Sequence, residues 1–313
     1  MKSSRKDYNL ARNQEIYTEY LSTDTSYNIL AKKYNLAPQR IQSIIKTAKS
    51  KDMSQRLLTN DTKEKRESYK NSAVEARERG KLNDSLMMFE SVVEWDIKNK
   101  NNVGLADVYG HLALTHQKIA QNSKDKMSKV MNLEKAEEYL TKALELFPNS
   151  GSSNISKVHL SKNMLLRSEY LTENEKQIAI KSALETINSA LVNFPGSESA
   201  KAWPLNVKMQ ILIAMGKYDE AFSIGLDAED KIYKGYFTEI DPKTKNDNTT
   251  NDQAIMKLNI WLAGIFNSMA IICKSTNRYA LARFYANAVI KMQDDDGNYK
   301  MVKERAKSIL EGL

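Results

Sequence analysis

Side chains able to recognise a polyanion are concentrated between Pro38 and Lys49. Arginine can bind a guanine edge, glutamine an adenine edge, and serine or lysine the phosphate backbone. If a helix begins at Pro38 and buries its aliphatic residues, one face is left for recognition: Gln39, Arg40, Gln42, Ser43, Lys46 and Thr47. Four more cations fall where helices would approach phosphates: Lys32, Lys33, Arg12 and Lys49. The pattern predicts a surface that binds double-stranded DNA.

The distribution of charge supports the same interpretation. Residues 1–58 hold eleven Lys or Arg against five Asp or Glu, a net charge of +6, whereas the remaining residues hold 36 against 34, a net charge of +2. A protein that binds the phosphates of duplex DNA needs a basic module of this kind. A solvated basic tail would have the same charge, so the apolar pattern must decide between them.

The apolar pattern predicts two helices followed by a third that carries the candidate face. Apolar residues at helical spacing predict a first helix from Leu10 to Leu21, and the polar residues 22–26 can cap the next helix. Within Tyr27 to Lys46, Ala31 is small where two helices would cross, and Asn35 suits a left-handed turn. Pro38 suits a first helical turn. Three residues would fill the space between the helices: Leu36, Ile41 and Ile44.

This segment closely resembles the helix-turn-helix of bacterial regulators, in particular sigma-factor promoter-reading regions and Mor-type phage activators. Those families often have Gly at the turn and Ser or Thr at the cap, where this chain has Asn35 and Ala37. The resemblance implies that the helix beginning at Pro38 recognises DNA. Two alternatives remain open: a small helical cap with an ordinary charged face, or a site for RNA or another anion.

The rest of the chain contains internal repeats. The stretches Ala143 to Pro148 and Ala190 to Pro195 end alike, 47 residues apart, and each follows a further alanine, Ala136 or Ala183. Small residues where helices touch, and a proline where a helix stops, are typical of a helical solenoid.

The clearest repeat, Met215 to Ala221 followed by Ala228, resembles the turn and second helix of a tetratricopeptide repeat. Related offsets recur in a first and a last unit, at Gly80, Leu82, Ser85, Phe89 and Val92, and at Asn277, Tyr279, Ala282, Ala286 and Val289. We therefore expect an all-α protein: a helix-turn-helix domain at 1–50, a linker at 51–65, and a degenerate tetratricopeptide-like solenoid at 66–313. A helix from Tyr299 to Leu310 would cap it, with polar inserts at 122–132 and within 230–252, the latter a surface loop at 241–252.

The inner face of such a solenoid is the expected binding surface. We expect asparagine amides there to hold a peptide main chain, at Asn163, Asn206 and Asn267. Four other residues could take a carboxylate or an acidic side chain: Gln210, Lys70, Arg77 and Gln117. The alternative, ordinary solvated polar residues, stays open. We expect the three tryptophans, Trp95, Trp203 and Trp261, to be packing residues.

Catalysis has little support in the sequence. His111 and His116 are five residues apart and so lie on different helix faces, and no phosphate-binding glycine loop is present. Cys273 lies in an apolar stretch and is expected to be a buried, inert thiol. The acidic run 294–298 lacks the ligand pattern of a calcium loop. We expect no enzyme activity, metal or cofactor. No apolar run approaches the roughly 20 residues of a membrane span, which predicts a cytoplasmic protein without a membrane partner.

The combination of a short helix-turn-helix and a tetratricopeptide-like solenoid resembles the peptide-sensing transcription regulators of low-GC bacteria and their phages, including arbitrium-type receptors. The resemblance implies a homodimeric regulator that binds double-stranded DNA and a peptide or protein effector. Two other functions remain: an interaction scaffold whose N-terminal unit only docks, and an RNA-associated adaptor.

Overall fold

The computed structural model describes residues 12–13, 15–20, 26–59, 63–148, 151–239, 251–293 and 299–313, with the backbone alone at 49–59 and 251–253. All regular structure in these ranges is helical, which confirms the all-α class for this part of the chain. The predicted acidic run 294–298, most of the predicted loop 241–252 and most of the predicted cap 22–26 lie outside the described residues.

The helices are numbered in chain order. Helix α1 comprises residues 12–13 and 15–20. The others are α2 Tyr27–Tyr34, α3 Pro38–Thr59, α4 Lys63–Glu78, α5 Leu82–Lys98, α6 Asn102–Asn122, α7 Lys126–Leu146, α8 Gly151–Ser168, α9 Glu173–Val192, α10 Ala202–Ala214, α11 Tyr218–Thr238, α12 Asn251–Ser275, α13 Tyr279–Ile290 and α14 Lys300–Glu311, with a 3₁₀ turn at Ser199–Lys201.

The chain divides into two compact units, Met1–Ile119 and Ala120–Leu313. In the first unit, α2 packs against α3, and α5 packs against both α3 and α4. The predicted linker 51–65 is largely helical, because α3 continues to Thr59 and α4 begins at Lys63. Residues 49–59 contain no Gly or Pro, and Lys, Met, Gln, Arg and Leu favour helix. The two compact units divide near Ile119, and a domain boundary at 51–65 stays a prediction.

In the second unit, consecutive helices from α7 to α14 pack against one another. Alternate helices also touch, since α10 contacts both α8 and α12, and α12 contacts α14. These four helices, α8, α10, α12 and α14, form what we call the inner layer. The small residues predicted at helix contacts are buried on α7 and α9: Ala136, Ala143, Ala183 and Ala190.

Three interhelical turns share one backbone geometry. Gly80, Gly216 and Asn277 have φ values of 76°, 73° and 58°. In each turn the following residue donates its backbone N–H to a carbonyl five residues earlier, as Lys217 does to Leu212 at 2.9 Å. This pattern ends a helix with a left-handed residue, which Gly and Asn adopt most readily. The turns expected at these positions are confirmed.

One prediction about the middle of the chain needs correction. The polar insert 122–132 is mostly helical: only residues 123–125 lie between α6 and α7. Asp125 begins α7 because its carboxylate accepts the backbone N–H of Ser128 at 2.7 Å. The predicted terminal helix is confirmed as α14, which packs against α12 and α13.

We expected no segment long and apolar enough to span a membrane. This expectation is wrong, because the helical segment Ala254–Ser275 has the length and the apolar composition of a membrane span. More than half of its apolar window is buried inside the protein. Leu258, Phe266 and Met269 of this helix belong to the main core of the second unit. The burial is that of a core helix.

Candidate nucleic-acid interface

A compact core joins α1, α2 and α3. Ile16, Leu30 and Ile41 are completely buried, and the rings of Tyr20 and Tyr27 stack with centroids 5.6 Å apart. The same core contains Tyr17, Ala31, Ile44 and Ile45, with Leu36 and Ala48 packed against it. The predicted burial of the aliphatic face of α3 is therefore confirmed. Burial of this face fixes which residues of α3 point to solvent.

The turn between α2 and α3 is three residues long, 35–37. Asn35 has φ 51° and ψ 51°, the left-handed conformation predicted for it. Leu36 donates its backbone N–H to the Ala31 carbonyl at 3.0 Å, and Asn35 donates to Lys32 at 3.4 Å. These bonds close α2, and α3 starts at once with Pro38. The two helices are thus held at a fixed crossing rather than merging into one.

The predicted recognition residues share one exposed face of α3. All six are exposed: Gln39, Arg40, Gln42, Ser43, Lys46 and Thr47. Spacings of three and four residues place them in a single ridge along the first three turns. The Thr47 hydroxyl donates to the Ser43 carbonyl at 2.8 Å, so the oxygen keeps its acceptor capacity for a ligand. In the described ranges, no carboxylate forms an ion pair with Arg40 or Lys46.

The flanking cations differ in availability. Lys32 is exposed. Lys33 is also exposed, but its ammonium lies 2.6 Å from the Glu19 carboxylate, to which the Tyr34 hydroxyl donates at 2.7 Å. The hydrogen bonds from Lys33 and Tyr34 lower the pKa of Glu19. Arg12 is half-buried, and the side chain of Lys49 lies outside the described residues. Of the four predicted phosphate contacts, Lys32 is the most available, and Lys33 mainly ties α2 to α1.

Two residues predicted to bind a partner instead form part of a polar network inside the first unit, and a third is buried. Lys70 is paired with Asp107 at 2.8 Å and with Glu67 at 2.9 Å. Arg77 is buried, and its guanidinium donates to Nδ1 of His111 at 3.2 Å. Gln117 is buried as well. We correct their assignment to an open surface, because Lys70 and Arg77 contact side chains of α6 and Gln117 is buried.

An ion pair at the centre of this network had not been predicted. Arg66 and Asp96 are both almost completely buried, with Nε to Oδ1 at 3.1 Å and Nη2 to Oδ2 at 2.5 Å. Arg66 also donates to the Gly104 carbonyl at 3.0 Å, and Asn101 donates to Asp96 at 2.6 Å. The pair links α4, α5 and the start of α6. No local sequence pattern predicts this ion pair, because Arg66 and Asp96 are 30 residues apart.

Burial lowers the pKa of His111, in the same network, to about 4. The negative charge of Asp107 raises this pKa but does not offset the effect of burial. Because arginine only donates, Nδ1 of His111 must accept from Arg77, and the proton of the neutral ring lies on Nε2. Nε2 is 3.7 Å from the Asp107 carboxylate. The ring also stacks on Phe89 at 5.2 Å. His111 is therefore a neutral packing residue near pH 7.

The predicted asparagines of the second unit divide into two groups. Asn163 and Asn267 are buried and donate to backbone carbonyls, of Leu133 at 2.8 Å and of Val302 at 2.9 Å. They join neighbouring helices and do not face an open groove, which corrects their assignment. Asn206 and Gln210 on α10 are half-buried and reach the surface. Asn206 accepts the Ser268 hydroxyl at 2.9 Å.

A cavity of about 300 Å³ lies among α7, α8 and α9. Its wall contains the Arg167–Glu137 ion pair at 3.0 Å and exposed Ile178. The other lining residues are Met164, Leu171, Glu175, Ala179 and Ser182. The sequence does not predict this cavity, because residues of three separate helices form it.

The remaining candidates are packing residues. Trp95 is buried, Trp203 packs against His159 at 4.8 Å, and Trp261 lies beneath the Lys257 ammonium at 4.6 Å. Cys273 is buried as predicted, and burial raises the pKa of its thiol. Within the part of the chain that the structure describes, no three His, Cys, Asp or Glu side chains are grouped as metal ligands.

Neither the known protein-family models nor the curated proteins include a match to this chain.

Proposed function

We propose that this chain is a sequence-specific DNA-binding regulator of transcription, in which α2 and α3 act as a helix-turn-helix. The observation that carries the proposal is the exposed ridge on the first three turns of α3, whose opposite face is buried. Guanidinium, amide, hydroxyl and ammonium groups on one rigid helix suit the edges of bases in the major groove.

The geometry of α3 supports insertion by its N-terminal part. A helix of 22 residues is about 33 Å long, whereas the major groove is about 12 Å wide. Only the first turns can enter the groove. α3 also packs against α5. The proposed recognition helix therefore also contacts the helices that follow it. The arrangement of those helices can thereby influence the position of α3.

The electrostatic balance favours a polyanionic partner. Arg40 and Lys46 carry charge that no described carboxylate neutralises, and Lys32 is exposed beside the same surface. Each phosphate that they neutralise on a duplex releases condensed counterions, so affinity should fall steeply as salt rises. The flanking Lys33–Glu19 pair keeps one cation engaged within the protein.

We further propose that the helices from α4 onward are degenerate tetratricopeptide-like pairs that bind a peptide or protein effector and join two copies of the chain in the cytoplasm. The left-handed turns at Gly80, Gly216 and Asn277 and the contacts within the inner layer support this assignment. Binding of an effector would alter the spacing between the two helix-turn-helix units of the dimer. This change would alter the affinity of the dimer for an operator with two half-sites.

The test is selection of bound duplexes from a random pool by the full-length protein, with the molecular mass in solution measured in parallel. We expect enrichment of two related half-sites, and the mass of a dimer. If no sequence is enriched and duplex affinity is absent even at low salt, the chain is an interaction scaffold rather than a regulator. Preferential binding of RNA would instead support the adaptor function.

A further inference from the structure

The cavity among α7, α8 and α9 is built from one face of α9 and the end of α8. α8 packs against both of the other helices, and its last two turns contribute Met164 and Arg167 to the lining. The lining residues of α9 are spaced so that they share one helix face: Glu175, Ile178, Ala179 and Ser182. Two of these side chains, Ala179 and Ser182, are small, which leaves room for a ligand between α8 and α9.

The size and the apolar part of the lining suit a single aliphatic chain. A volume of about 300 Å³ lies at the lower end of the range for ligand pockets, about 300–1,000 Å³. Met164 and Leu171 are half-buried in the wall, and Ile178 is 67% exposed beside them. A ligand that covers Ile178 removes apolar surface from water. The cavity therefore fits one side chain of a peptide rather than a whole peptide.

The charged part of the lining has an excess of negative charge. It contains one cation, Arg167, against two carboxylates, Glu137 and Glu175, a net charge of −1. Nε of Arg167 lies 3.0 Å from Oε2 of Glu137, and its Nη2 lies 3.4 Å from Oε1 of the same residue. This ion pair neutralises both partners. The charge of Glu175 is left without an ion pair in the described part of the chain.

The Glu175 carboxylate is held in place by one oxygen only. Its Oε2 accepts the backbone N–H of Thr172 at 3.0 Å and the Thr172 hydroxyl at 2.6 Å, in the capping box that begins α9. These hydrogen bonds lower the pKa of Glu175, so the group is ionised near pH 7. Oε1 accepts no hydrogen bond from the described residues. A positively charged donor would satisfy this oxygen and neutralise the excess charge together.

We infer that this cavity binds a primary ammonium group on an aliphatic chain, namely a lysine side chain or the N-terminal residue of the effector peptide. The aliphatic part contacts Met164, Leu171 and Ile178, and the ammonium donates to Glu175. A ligand with a carboxylate would be repelled by the excess negative charge, and a neutral ligand gains the apolar contacts alone. The inference deepens the proposed effector-binding role of the helices from α4 onward and rests on it.

The experiment measures thermal unfolding of the full chain at pH 7 and low ionic strength with three probes of similar size. Nα-acetyl-lysine amide carries a side-chain ammonium, norleucine amide carries an α-ammonium, and Nα-acetyl-norleucine amide is neutral. For the wild type we expect a saturable rise in Tm of about 2–4 °C with at least one charged probe, and a smaller rise with the neutral one. The charged probe with the larger effect shows whether a lysine side chain or a peptide N-terminus is preferred.

Two conservative variants remove the negative charge of the cavity. Glu175→Gln can keep the capping box, and Glu137→Gln keeps an acceptor for Arg167. The matched controls are Glu134→Gln on α7 and Glu185→Gln on α9, which change exposed carboxylates outside the lining. Both cavity variants should bind the preferred charged probe about 3- to 10-fold more weakly than the wild type, whereas the controls should bind it equally well.

Three results would overturn the inference: no saturable response of the wild type to either charged probe, an equal response to the neutral probe, or cavity variants that respond as the controls do. Duplex binding by the wild type is measured on the same preparation. A charge-selective response without duplex affinity retains this site and rejects the regulatory role. Duplex affinity without a charge-selective response rejects the site and leaves the proposed DNA binding in place.

Discussion

The backbone N–H of Leu36 donates to the carbonyl of Ala31 at 3.0 Å and thereby ends α2 across the left-handed residue Asn35. The Ala31 side chain is buried in the core shared with Ile41 and Ile44. One turn therefore sets both the end of α2 and the face that α3 exposes. The orientation of the whole ridge depends on the conformation of a single residue.

Replacing Asn35 tests this dependence. Asn35→Gly should keep or slightly improve stability, because glycine adopts the left-handed conformation without strain. Asn35→Val should destabilise the α1–α3 core by about 1–2 kcal/mol, since a β-branched side chain opposes this conformation and lacks the polar group with which asparagine can hydrogen-bond locally. The matched control is Asn28→Val, the same change on an exposed position inside α2. Hydrogen exchange of the α3 amides would measure the difference, and equal protection in both valine variants would refute the argument.

Replacing glycine with alanine should change the stability of the first unit in opposite directions at two positions of α6. In Gly104→Ala, the new Cβ would lie 2.6 Å from Oδ1 of Asp96 and 2.7 Å from Nη2 of Arg66, so the buried ion pair must move. In Gly110→Ala, the Cβ meets nothing within 4 Å. We expect Gly110→Ala to stabilise the first unit by about 0.5–1 kcal/mol and Gly104→Ala to destabilise it. Urea unfolding followed by Trp95 fluorescence, in a chain with Trp203 and Trp261 replaced by Phe, measures both. Two changes of the same sign would contradict the packing described at Gly104.

His111 predicts a pH dependence of the same unit. Its pKa is about 4 in the folded protein and about 6.5 when unfolded, so the unfolded chain binds more protons between these values. Stability should therefore fall as the pH is lowered from about 6.5 toward 4, and this contribution should level off below 4. His111→Gln keeps an acceptor for Arg77 but removes the titration. The slope attributed to His111 should disappear in His111→Gln and persist in His159→Gln, a change in the other unit, when the Trp95 transition is followed across pH.

The helices around the candidate interface could be predicted because their signals are local. Ile41, Ile44 and Ile45 fix the buried face of α3 by spacing alone, and Asn35 marks the turn through its own backbone preference. The same holds for Gly80 and Gly216, whose left-handed conformation follows from residue type. That the exposed ridge binds DNA stays a prediction, since exposure shows availability rather than a partner.

Features that depend on contacts between distant segments could not be predicted. Arg66 and Asp96 pair across 30 residues, and Asn163 and Asn267 are buried by helices whose rotation the sequence does not reveal. An asparagine predicted at the surface of a groove is instead used as an interhelical hydrogen-bond donor. The segment 51–65 has few apolar residues, which predicts a linker with a short helix at most. Its helix-forming residues and the lack of Gly and Pro instead continue α3 to Thr59, and its role as a domain boundary stays a prediction.

The central claim is tested most directly by the affinity for the selected duplex of the double variant Arg40→Ala/Lys46→Ala, measured over a range of salt concentrations. The control is Lys181→Ala/Lys307→Ala, which removes two exposed charges from the second unit. We predict that the ridge variant, with unchanged circular dichroism, binds about 10- to 100-fold or more weakly, and that its log–log salt slope becomes shallower by about 0.9 for each phosphate that it no longer neutralises. The control should bind as the wild type does. Equal affinity and equal salt slope for the ridge variant and the wild type would contradict the account.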